Sequence, residues 1–283
     1  MPIIMFPGQG SQKQGMAPDL VSAYPHLFNQ ASALLSEDII DIVHSDRIHA
    51  TQYTQPLLFV YHHAAFLAWQ EANDVQIDAA LGHSLGEYNA LCAAGAISFD
   101  VALKCVIERA RLMSGMAEGT MCAVLGLTAD QVRQGLEVFK SSGVLDLANH
   151  NEETQVVVAG QRKVMDEFAI WAKDHGAKRV VPLQVSGAFH SSLMQQAAQS
   201  FDAYTQTILK VHSDWLMPVI ANLTARPYEV ADVQSTLVAQ MHNPVLWHDS
   251  IQYLVNKGMD DFIEINVGIP VLEKMVRRIL RSS

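Results

Sequence analysis

A short apolar run, Ala79-Ala80-Leu81, enters Gly82-His83-Ser84-Leu85-Gly86, and a helix-prone segment from Glu87 to Ala94 follows at once. No other stretch restricts the fold as much. A strand that turns into a helix within a few residues brings the two backbones close. Glycines two places before and after the serine remove the Cβ atoms that would collide. Such a turn holds the serine in a strained backbone and points the first helical amides toward charge developing beside it. Strand, tight turn and helix make one step of an α/β layer. Two readings fit the pentapeptide: an exposed nucleophile, or a glycine-rich turn with a capping serine.

The rest of the chain extends the layer. Ile3 to Phe6 reads as a buried strand feeding the loop Gly8-Gln9-Gly10-Ser11-Gln12, and residues 55–73 and 101–116 read as helices. Residues 121–187 follow a different rhythm: strand 121–127, helix 128–139, strand 143–148, strand 155–159, helix 163–175 and strand 177–185. That β-α-β-β-α-β order is the signature of a ferredoxin-like unit. Beyond it the pattern predicts a helix over 191–210, a strand near 219–221, a helix near 233–241, a strand over 262–265 and a last helix from 270. The expected organisation is therefore a large α/β domain, 1–120 and 188–283, with a small domain, 121–187, inserted into it.

Composition narrows the function classes. The formal net charge of −10 argues against general nucleic-acid binding. Cys92, Cys105 and Cys122 lie in apolar surroundings without CxxC spacing, as free thiols of a reducing compartment do; no metal site is expected from them. The first residues lack a basic lead and a long apolar core, and no run of about 18 uninterrupted apolar residues occurs. The expectation is a cytoplasmic protein without a membrane span.

A serine needs a neighbouring base to attack at neutral pH, and histidine is the usual one. Of twelve histidines, His190 stands apart, because it follows Ser186-Gly187-Ala188-Phe189 where the small unit returns to the large one. Clefts between units are where sites gather. By position alone it is a candidate base or an ordinary loop histidine, and nothing local supplies an acidic partner. Arg109 falls on the apolar stripe of the 101–116 helix, at i+4 from Cys105. A guanidinium on a buried face must find acceptors. It is a structural ion pair, a side chain that snorkels to the rim, or a fork for a substrate carboxylate.

These segments together resemble the malonyl-CoA:acyl carrier protein transacylases of fatty acid and polyketide synthesis. The resemblance spans nearly the whole chain and rests on ordered motifs: Phe6-Pro7-Gly8-Gln9-Gly10-Ser11-Gln12, Thr54-Gln55-Pro56, Gly82-His83-Ser84-Leu85-Gly86-Glu87-Tyr88, Arg109 with Met113, Asn149-x-Asn151 before Gln155, Gly187-Ala188-Phe189-His190-Ser191, and Gln240 with Asn243-Pro244-Val245. It implies an α/β-hydrolase-like large domain beside the ferredoxin-like one. It implies Ser84 as the acylated nucleophile, His190 as its base, and the backbone carbonyl of Gln240 as the group orienting the imidazole. Backbone N–H groups of Gln9 and Leu85 would form the oxyanion hole, Arg109 would hold the malonyl carboxylate, and Phe189, Met113 and His83 would line the acyl pocket. Coenzyme A thioester and acyl carrier protein would be the partners, with malonyl-CoA as substrate and no metal or redox cofactor.

Two stretches depart from the family pattern. Glu264-Ile265-Asn266-Val267-Gly268-Ile269-Pro270 replaces a Glu-x-Gly-Pro-Gly loop, and Glu152-Glu153-Thr154 replaces a small-and-proline turn. The first bears on acceptor or acyl preference, the second on the carrier-facing rim of the small domain. An acidic carrier would need a local basic rim, for which Arg162-Lys163, Lys178-Arg179 and Arg277-Arg278 are candidates, each otherwise read as a solvated charge. The rival readings are a hydrolase that strips stalled acyl groups from carrier proteins and an idle carrier-docking module.

Overall fold

A computed structural model describes residues 1–116 and 118–282. The first half runs β1 (Ile3–Phe6), α1 (Pro18–Ala23), α2 (Pro25–Leu35), α3 (Ile39–Val43), α4 (Thr51–Ala72), β2 (Ala79–Gly82), α5 (Gly86–Ala93) and α6 (Phe99–Gly115). The middle runs β3 (Thr120–Leu125), α7 (Ala129–Phe139), β4 (Leu145–Glu152), β5 (Gln155–Gly160), α8 (Arg162–Asp174) and β6 (Arg179–Pro182). The remainder runs α9 (Gln195–Ile208), β7 (Val219–Ile220), α10 (Val233–Gln240), α11 (Trp247–Val255), β8 (Phe262–Glu264) and α12 (Leu272–Ser282).

The strands form two sheets in an α/β fold. A parallel sheet has the order β7-β2-β1-β8, with Ile3 opposite Ala79 and Phe262. An antiparallel sheet has the order β4-β5-β3-β6, with Thr120 opposite Gly160 and Cys122 opposite Pro182. Both are apolar on two faces, and the period-2 alternation of strand side chains divides their residues between cores. In the parallel sheet, Ile4, Phe6 and Ala80 face the main core, while Ile3, Met5 and Leu81 face α11 and α12. In the antiparallel sheet, Val156 and Val158 pack under α7 and α8, while Val157 and Ala159 turn to the main core. A strand buried on both sides needs a continuous β-branched run, which is what Val156-Val157-Val158 supplies.

The structure revises some expected boundaries. The helix read over 55–73 begins at Thr51. Strand 143–148 starts at Leu145 and continues to Glu152, so Asn149-x-Asn151 is strand rather than loop. Register shifts between Leu147 and Asn149 and between His150 and Glu152 mark bulges there, which re-aim the polar side chains without ending the pairing. Helices α1–α3 and α11 have no counterpart in the sequence reading. Among the described residues no helix is long and apolar enough to cross a membrane.

Candidate active site

Ser84 lies in the turn between β2 and α5 with φ 53°, the left-handed region a non-glycine residue seldom occupies. The flanking glycines are required by contact. A Cβ on Gly82 would meet the carbonyl carbon of Gly86 at 1.9 Å, and one on Gly86 would meet the carbonyl oxygen of Phe6 at 2.0 Å. The turn is also fixed from outside. Asn222, just past β7, accepts a hydrogen bond from the Ser84 N–H (2.7 Å) and donates from Nδ2 to the Gly82 carbonyl (2.6 Å).

His190 meets the serine although 106 residues separate them: Nε2 lies 2.7 Å from Ser84 Oγ. Its backbone also has positive φ, 59°. Nδ1 lies 2.7 Å from the carbonyl oxygen of Gln240. A carbonyl only accepts, so Nδ1 carries the proton and the Nε2 lone pair faces the serine hydroxyl. Burial, and then the Arg109 charge, lower the imidazole pKa to about 3, so the ring rests neutral.

Arg109 is 1% exposed. Its Nη1 donates to Gln55 Oε1 (2.6 Å), and its Nη2 donates to Gln240 Oε1 (2.8 Å) and Ser84 Oγ (3.0 Å). Among the described residues no carboxylate forms an ion pair with it. Of the readings open from sequence, the structural ion pair is therefore absent among the described residues, and at 1% exposure the side chain does not snorkel to the rim. A buried cation held only by neutral acceptors keeps most of its desolvation penalty, and burial accordingly lowers its pKa.

Behind Arg109 lies a carboxyl group that spacing gave no role. Glu87, at the start of α5, is fully buried; its Oε1 accepts from the Asn222 N–H (2.6 Å) and its Oε2 accepts from Gln240 Nε2. Burial raises its pKa to about 7. Gln240 Nε2 also donates to the Ser84 carbonyl (2.9 Å). Asn222 and Gln240, both held by Glu87, thus bind the backbone on both sides of the Ser84 hydroxyl.

A cavity of about 110 Å³ opens on Ser84 and His190; its lining includes Arg109, Gln55, Gln9, Leu85, His83, Met113, Phe189 and Asn149. Every side chain assigned to the pocket from sequence reaches it. It holds only a few water molecules, the scale of a short acyl group and not of a fatty chain. His83 is fixed by Asn151, Nε2 to Oδ1 2.9 Å, so β4 contributes to the wall through both Asn149 and Asn151. The Gly8-Gln9 loop runs beside His83, so close that a Cβ on Gly8 would meet its carbonyl oxygen at 2.6 Å. A wider groove of about 900 Å³ also borders His190, and its lining includes Asp146, Gln195 and Asn243.

The two departing segments have defined places. Glu264 accepts from the N–H groups of Val271 (3.0 Å) and Glu273 (2.8 Å) and so caps α12, while Gly268 packs on the Ser11 carbonyl. Glu152 pairs bidentately with Arg278 (2.7 and 2.6 Å), which ties β4 to α12. Arg277 is engaged by Glu273. That basic pair is therefore committed to intramolecular contacts.

A hydroxyl, a neutral imidazole and a strained strand-to-helix turn define an α/β protein equipped to activate a serine. The model of the acyl transferase domain family matches residues 3–283, and the chain belongs to that family. It is 41% identical over 283 residues to the polyketide biosynthesis malonyl CoA-acyl carrier protein transacylase BaeC of Bacillus velezensis, covering 97% of this chain and 95% of that protein. It is 39% identical to the polyketide biosynthesis protein PksE of Bacillus subtilis, where 97% of this chain spans 36% of a longer protein. A solved malonyl-transacylase in complex with its type II polyketide acyl-carrier protein superposes with a TM-score of 0.93 at 31% identity, over 99% of this chain and 94% of that one.

Proposed function

We propose that this protein carries a malonyl group from coenzyme A, through an ester on Ser84, to the phosphopantetheine thiol of an acyl carrier protein, for fatty acid or polyketide synthesis. The observation that carries the reading is Arg109: a buried guanidinium without a carboxylate partner among the described residues, 3.0 Å from the serine hydroxyl. A malonyl group brings the missing carboxylate to that position, and a guanidinium binds it through paired hydrogen bonds.

The Ser84 Oγ–H bond gives its proton to His190 Nε2 as Oγ attacks the thioester carbonyl carbon. The oxyanion faces the backbone N–H groups of Gln9 and Leu85, at the two loops that meet at the cavity. The C–S bond breaks, and coenzyme A leaves with the proton from His190. The carrier thiol then gives its proton to His190, its sulfur attacks the malonyl ester, the C–O bond breaks, and Ser84 regains its hydrogen. The Gln240 carbonyl keeps the imidazole in the tautomer this exchange needs, so no acidic third member is required. The malonyl carboxylate offsets the Arg109 charge that depresses His190, which makes the base stronger when the diacid is bound. No metal or redox cofactor enters this scheme.

The finer fold assignment is part of the same reading. The parallel sheet and its elbow support an α/β-hydrolase-like large domain. The order β4-β5-β3-β6 supports a ferredoxin-like small domain over 121–187. We place the protein in the cytoplasm, where acyl-CoA and free thiols coexist. A hydrolase or an idle docking module is less well served by this site, since neither needs a buried cation beside the nucleophile. The wide groove beside His190 suits the carrier's pantetheine arm, with Arg133 and Lys140 on its rim. The test is intact-mass analysis after mixing with malonyl-CoA. One malonyl adduct is expected, lost in Ser84→Ala and discharged by holo carrier protein. An adduct that survives Ser84→Ala, or none with the native chain, overturns the proposal.

A further inference from the structure

Three side chains outside the acyl cavity lie in metal-ligand array. His150 sits in the bulged part of β4, and His248 and Asp249 sit in the first turn of α11. One donor atom from each lies within 4.8 Å of the others. His150 Nδ1 is 3.0 Å from Asp249 Oδ2, and His248 Nδ1 is 3.9 Å from Asp249 Oδ1. Ligands at about 2.0–2.1 Å around a tetrahedral ion stand roughly 3.3–3.4 Å apart, and the two separations, each to a different oxygen of the carboxylate, lie on either side of that value. His248 Nδ1 is buried and has no hydrogen-bond partner among the described residues. The 3.9 Å approach is too long to supply one. An unpaired buried imidazole nitrogen facing a carboxylate it does not reach can bind an ion between them in the tautomer that carries its proton on Nε2.

The geometry points to a divalent transition-metal site, of the kind Zn2+ takes, ligated by His150, His248 and Asp249. Two imidazoles and one carboxylate suit zinc and leave a fourth position for water. Asp249 is 45% exposed, while the imidazoles are 12% and 18% exposed, so the site is open to solvent on the carboxylate side only.

The location gives such an ion a structural effect. The His150 N–H donates to the Val245 carbonyl (2.9 Å), so β4 already touches the segment leading to α11. On either side of His150, Asn149 lines the cavity and Asn151 holds His83. Trp247, next to His248, has its ring 5.6 Å from that of His83. An ion here would fasten the antiparallel sheet to α11 directly behind the acyl-pocket wall.

The test uses the full chain and Zn2+ alone. Calorimetry should show one tight equivalent, accompanied by a rise in melting temperature. His150→Gln and His248→Gln should each weaken binding by at least about tenfold, with metal-free melting close to that of the native chain. Co2+ in place of zinc should give visible ligand-field bands that both variants lose. Should either variant fail to fold, X-ray absorption of the one-to-one zinc complex of the native chain decides, with two imidazoles and oxygen expected in the first shell. Equal Zn2+ affinity in native and variant chains, or a shell lacking two imidazoles, overturns the site.

Discussion

The parallel and antiparallel sheets have the same number of strands and both send residues into cores on two faces, yet they take on different work. The parallel sheet ends in a polar knot. Gly82, Ser84, Glu87, Asn222 and Gln240 are joined by short hydrogen bonds in a region where nearly every atom is buried. The antiparallel sheet has an ordinary apolar interior and contributes only Met121, Asn149 and the Asn151 anchor to the cavity. The geometry around Ser84 is concentrated where backbone strain and buried polar groups coincide, and such regions fail at one lost partner. The wall is held by many weak contacts and by a seam of polar ties to α11 and α12, so it should yield gradually.

Substitutions on the two sides test this contrast. The largest effect belongs to Arg109→Ala. Malonyl transfer should fall by about two to three orders of magnitude while acetyl transfer is spared or improved, since truncating one partner of a buried charge pair costs roughly 3–5 kcal/mol. Steady-state rates with the two thioesters check it, and an equal loss for both would make the residue structural. Asn222→Ala leaves the Ser84 N–H and the Gly82 carbonyl without their partner. Acylation of Ser84 should slow by about ten- to a hundredfold, with a stability loss of about 1–3 kcal/mol. If acylation is unchanged, the knot does not position the nucleophile.

Acid should separate the regions next. Burial holds His62 at about 3 and His63 at about 4, and it also lowers His83 and His190. Neutral in the native state, these rings take up protons only on unfolding. Their stabilisation is complete above about pH 6.5 and is lost as pH falls toward 3–4. Glu87, raised to about 7, acts in the opposite sense between about pH 4.5 and 7, but it is one group against four. The urea midpoint should therefore drop between pH 7 and pH 5. His62→Leu should flatten that dependence by up to about 1.4 kcal/mol per pH unit, and an unchanged slope would show that His62 titrates normally. The smallest effect belongs to the seam. Arg278→Met removes the half-exposed partner of Glu152 and should lower stability by at most about 1 kcal/mol without changing malonyl transfer, as paired melting and rate measurements would show.

Much of this was legible in the residues. Gly82 and Gly86 announced a turn too tight for Cβ atoms, and the contacts at 1.9 and 2.0 Å are the reason. The alternation of strands and helices over 121–187 was readable because each element carries its own period. The ordered motifs pointed to Ser84, His190 and Arg109 before any distance was known. Asn222 was not legible: a single polar residue after a two-residue strand has no local signature, and its role arises from contacts 138 and 140 residues away. Gln55 and Glu87 lie inside motifs, but spacing says nothing of what they hold. The strand beyond Ala148 was hidden because Asn-His-Asn-Glu is a polar tract, and the pairing that makes it a strand comes from β5. Helices α1–α3 are short and follow one another closely, so no long apolar period marks them.

His190 borders both the small cavity and the wide groove. One ring edge must therefore serve whichever thiol currently occupies the groove. Two visitors cannot be attended together, so coenzyme A and the carrier arm have to take turns. Under the proposed roles, each should act as a competitor of the other at high concentration, and the free energy of the acyl bond waits on the serine between visits.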